Sequence, residues 1–62
     1  MFYKYTIKFR NGNELSGYAE SDKTTPEIQK GIARKFFGDF IVEVKEFGEK
    51  FPPVNSDYII TI

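Results

Sequence analysis

Tyr3, Tyr5, Ile7 and Phe9 alternate with Lys4, Thr6, Lys8 and Arg10 along the first ten residues. A period of two sends the first set to one face of a sheet and the second set to the other. Asn11-Gly12-Asn13 follows and predicts a hairpin, because Asn and Gly tolerate positive φ. A three-residue loop over 11–13 pairs Arg10 with Glu14, Phe9 with Leu15, Ile7 with Gly17 and Tyr5 with Ala19. The other face then matches Lys8 with Ser16, Thr6 with Tyr18 and Lys4 with Glu20. A two-residue loop would turn Glu14 and Ser16 onto the aromatic face, where an unpaired carboxylate is costly, so the longer loop is expected.

The period then changes. Thr25-Pro26-Glu27 reads as N-cap, first helical position and acidic first turn. Ile28, Ile32 and Phe36 recur every four residues, Ala33 and Phe37 widen the stripe, and Gly38 supplies the stop. Gly31 falls outside that stripe, beside Lys30, Arg34 and Lys35. Strand alternation returns with Phe40, Val42 and Val44 against Ile41, Glu43 and Lys45, and again with Tyr58, Ile60 and Ile62 against Ile59 and Thr61. Residues 48–57 connect the two runs through Phe51-Pro52-Pro53-Val54, whose prolines forbid ladder hydrogen bonds.

Strand, strand, helix, strand, strand predicts an α+β domain: a four-stranded mixed sheet with one helix packed across one face. A right-handed crossover through the helix would set the two terminal strands side by side and parallel at the sheet centre. In this architecture, in the Phe9-Arg10-Asn11-Gly12 turn and in the placement of the helix, the chain resembles the β-grasp group. Within that group it is most similar to the immunoglobulin-light-chain-binding domains of protein L. The resemblance spans the whole length as architecture and implies a fold; it carries no binding residue onto this chain.

Composition narrows the chemistry. The 62 residues amount to a single domain, with seven Phe and four Tyr to fill a small core and no Cys or His. Without Cys there is no disulfide framework, which suits a reducing compartment; no apolar run approaches the about 20 residues of a membrane span. Met1 leads straight into a strand pattern, and a cytoplasmic protein is expected. Residues 1–38 hold seven Lys/Arg against four Asp/Glu, and residues 39–62 hold two against five, so the zero net charge divides into +3 and −3. A balanced, two-signed surface fits neither a dedicated nucleic-acid binder nor an acidic mimic of one.

Missing His and Cys also remove the usual general base, the thiol nucleophile and the common zinc ligands. Ser16, Ser21 and Ser56 have no activating base at a telling spacing, Glu43, Glu46 and Glu49 do not form a hard-metal loop, and no glycine run precedes the helix. A non-enzymatic protein without cofactor or metal is expected. Strand parity instead sends Phe2, Lys4, Thr6, Lys8, Arg10, Tyr18, Ile41, Phe47 and Ile59 to the face away from the helix. A wet sheet face is usually dominated by polar residues, so the apolar members of this set would mark a partner site if contiguous.

Phe2, Lys4, Lys8, Tyr18, Ile41, Phe47 and Ile59, extended by Phe51, are therefore the candidate contact residues. The main expectation is a small protein-binding module: an adaptor, an inhibitor or a self-associating subunit. Folding of the Phe51–Val54 segment over this face is the competing outcome. Single-stranded nucleic acid is an alternative partner, with aromatics to stack bases and Lys4, Lys8 and Arg10 nearby, although Glu14, Glu20 and Glu43 share the face. A structural role in a viral or mobile-element assembly is the third.

Overall fold

The computed structural model describes all of residues 1–62. It contains β1 (Phe2–Phe9), β2 (Glu14–Glu20), α1 (Thr25–Ala33), β3 (Phe40–Gly48), a 3-10 turn (Ser56–Tyr58) and β4 (Ile59–Thr61). The four strands form one mixed sheet in the order β3-β1-β2-β4. The α+β class, the element order and the single helix on a four-stranded mixed sheet are those the patterning predicts.

The neighbours of β4 are not. It lies parallel beside β2 at the sheet edge, pairing Tyr18 with Ile59 and Glu20 with Thr61, while β1 is flanked by β2 and β3, both antiparallel to it. The terminal strands therefore do not meet. Strand periodicity reports which face a side chain takes; it is silent on which strand lies next door.

The first turn also differs in detail. Phe9 N–H donates to the Asn13 carbonyl at 2.8 Å and Gly12 N–H to the Phe9 carbonyl at 3.0 Å, so the three-residue loop is Arg10-Asn11-Gly12. Gly12 takes φ +94°, the positive-φ position that closes such a loop. The pairing slides by two residues, to Tyr3–Ala19, Tyr5–Gly17, Ile7–Leu15 and Lys8–Glu14. A slip of two preserves every face, which is why the core assignment survives it.

Tyr3, Tyr5 and Ile7 from β1, Ala19 from β2, and Ile28 and Ile32 from α1 make the buried core. The helix begins one residue earlier than expected, with Thr24 rather than Thr25 as N-cap and Pro26 in its first turn, and it stops short, at Ala33. Phe36 lies beyond the helix and only partly buries, edge-on to Phe40 at 6.4 Å. Phe37 is 96% exposed and leaves the stripe altogether. Tyr58, expected on the inner face of the last strand, sits in the 3-10 turn and is exposed. Gly31 has a structural reason to be small: a Cβ there would lie 2.8 Å from Cγ2 of Ile62, which packs on the helix at that point.

Candidate binding face of the sheet

Parity puts Phe2, Lys4, Thr6 and Lys8 of β1 on the face opposite α1, with Ser16 and Tyr18 of β2, Ile41, Glu43 and Lys45 of β3, and Ile59 of β4 beside them. Near its end β3 carries a bulge: Tyr3 opposes Glu46 but Phe2 opposes Gly48, so Phe47 is the extra residue. Phe47 keeps the face that alternation gives it, and its ring meets Tyr18 edge-on at 5.2 Å.

Residues 49–58 then cross this face from the β3 edge to the β4 edge. Phe51 stacks edge-on against Phe2 at 5.3 Å, Pro52 is buried, and Val54 lines a shallow depression with Lys4, Ser16, Tyr18 and Tyr58. The covering is partial. Phe2 is 7% exposed beneath Phe51, whereas Phe47 remains 42% and Phe51 56% exposed, with Tyr18 and Ile59 half-buried.

Five of the eight candidate contact residues are thus brought together at one end of the face: Phe2, Tyr18, Phe47, Phe51 and Ile59. Lys4 borders them. Lys8 lies further along, paired with Glu43 at 3.1 Å, and Ile41, opposite Lys8, is 67% exposed at the far end. A polar band containing Thr6 and Ser16, whose hydroxyls are 3.3 Å apart, separates Ile41 from the aromatic group. The apolar patch is therefore smaller than parity alone suggested.

Lys45 was not among the candidate residues. It stands directly opposite Lys4 across the β1–β3 ladder, and neither joins an ion pair; the two that form are Lys8–Glu43 and Arg10–Asp39. Parity alone placed Lys45 on the open face, but only the β1–β3 register brings it to Lys4. Like charges directly opposite repel, so this pair favours an anionic neighbour. On the other side of the sheet, burial raises the phenol of Tyr5 above its ordinary pKa of 10.0. No helix is long and apolar enough to cross a membrane. Compared with protein families, with curated proteins and with solved structures, the chain matches none.

Proposed function

We propose that the protein is a non-enzymatic binding module that takes a protein partner on the open sheet face. The observation that carries this reading is the aromatic group left incompletely covered by the chain's own crossing segment: Phe47 and Phe51 exposed, Tyr18 and Ile59 half-buried, Lys4 and Lys45 at the border. An apolar centre with a charged rim is the usual anatomy of a contact patch, and aromatic anchors dominate its energetics. The unneutralised lysines select a partner surface with carboxylates beside an apolar anchor.

Affinity capture from the native host with wild type and Tyr18→Ala tests it. Loss of the partner by Tyr18→Ala, with a cooperative unfolding transition retained, is the expected result; an anchor of this kind is worth about 2 kcal/mol or more. A partner held equally well by Tyr18→Ala and Phe47→Ala would move the site off this face. The Lys4–Lys45 pair beside Tyr18 and Phe47 also supports a second reading, single-stranded nucleic acid. Salt-sensitive binding of an unstructured oligonucleotide, lost in Lys4→Gln, would favour it over a protein partner.

A further inference from the structure

β3 is the longest strand, nine residues, and forms one edge of the sheet. Arg10 N–H donates to the Asp39 carbonyl at 3.1 Å, which fixes the phase of the β1–β3 ladder. By alternation, Ile41, Glu43 and Lys45 bond inward to β1, and the main-chain groups of Phe40, Val42 and Val44 point outward. No proline interrupts them. The Val42 carbonyl is touched by Gln29 Nε2 at 3.4 Å, a long hydrogen bond that a main-chain donor would displace.

We infer that this edge pairs antiparallel with β3 of a second copy about a two-fold axis at Val44, joining two sheets into one of eight strands. Outward main-chain groups meet only if the paired residue numbers sum to an even value, and the charges choose among such registers. With the axis at Val44, Glu43 faces Lys45 of the other copy twice, and Ile41 faces Phe47 twice. Moving the axis to Glu43 sets Glu43 against itself; moving it to Val42 sets Lys45 against Asp39, which precedes β3 and already faces Arg10, and puts the Glu43 carboxylate against Ile41. The chosen register supplies the anion that the Lys4–Lys45 pair lacks and covers Ile41, which the monomer leaves 67% exposed. A lone lysine on an edge strand ordinarily discourages pairing. Here a glutamate two residues away turns the same lysine into a matching element. The opposite edge is a poorer template, because β4 has three residues and follows directly on a 3-10 turn.

This inference shares Lys45 and Phe47 with the open-face reading but rests on the main-chain edge of β3. Tyr18→Ala separates the two, since Tyr18 lies on β2, two strands from that edge, and reaches β3 only through the Phe47 ring. Sedimentation equilibrium should show the mass rising with concentration from 7.2 kDa to twice that value. Tyr18→Ala should leave this unchanged. Lys45→Glu and Glu43→Lys should each weaken the dimer about tenfold or more by facing like charges. Lys45→Glu places a carboxylate opposite Lys4, so its effect on mass is not a consequence of unfolding. An equimolar mixture of the two variants should recover the dimer, because every cross-pair is again of opposite sign. Amide exchange offers a check without any substitution: protection of Val42 and Val44 should rise with protein concentration. A chain monomeric to about 1 mM, a dimer indifferent to both reversals, failure of the mixture to recover it, or concentration-independent protection of Val42 and Val44 would each overturn the inference.

Discussion

Tyr5 lies across Gly17, its direct partner on β2, and the ring occupies the space where any side chain would begin. A Cβ built at Gly17 would come within 2.9 Å of Tyr5 Cε2, with the phenol oxygen closer still. The large residue thus supplies, from the neighbouring strand, the cover that a glycine cannot give itself. Substituting Gly17→Ala should cost about 1–3 kcal/mol, because the ring is buried and has little room to withdraw. A double-mutant cycle with Tyr5→Leu checks the cause: the pair should lose less than the sum of the two single losses. Strict additivity would mean that the glycine serves something other than the tyrosine.

Elements show where sequence patterning succeeds and where it stops. The helix is legible in Ile28 and Ile32, both fully buried, but its length is not. Phe36 and Phe37 continue the four-residue spacing, yet α1 ends at Ala33, and Lys35 N–H turns back to the Ile32 carbonyl at 2.9 Å. Only Phe36 folds back, against Phe40, while Phe37 is left exposed. We expect Ile32→Ala to cost about 2–5 kcal/mol and Phe36→Ala about 1–2 kcal/mol, reversing the order that residue size alone suggests. Thermal denaturation of the two variants decides it, with Phe37→Ala as a near-neutral control. The hairpin register carried a usable signal that patterning overlooked. Loops 11–13 and 10–12 give identical face assignments, so hydrophobicity does not separate them, but only the second puts Gly12 last, where positive φ is required. The open face was legible to the same depth. Parity found Phe2, Tyr18, Phe47 and Ile59, while the gap before Ile41 and the meeting of Lys4 with Lys45 depend on the β1–β3 register.

At the scale of the molecule, the segment 49–58 does what no single strand pairing does: it links the two edges of the sheet across the open face. Its anchors are Phe51 on Phe2 and the buried Pro52, and it delivers the chain to β2 rather than to β1. β4 is then held by three paired residues and by the Ile62 N–H, which donates to the Glu20 carbonyl at 3.0 Å. Its far end reaches α1, where Ile62 fills the space beside Gly31. β1, by contrast, is bonded on both sides and carries three core residues. Stability should therefore grade from the centre to this edge, with β4 and the crossing segment opening as one unit before the rest. In native-state hydrogen exchange, the β1 amides should exchange only through global unfolding, and the Ile62 amide about tenfold faster or more. Phe51→Ala releases the segment's anchor on Phe2 and should widen that gap, because it loosens the path into β4 while leaving the β1 hydrogen bonds to β2 and β3 in place. An Ile62 amide that tracks the β1 amides in both proteins would show that β4 is bound into the core cooperatively, and that the crossing segment merely covers the aromatic face it spans.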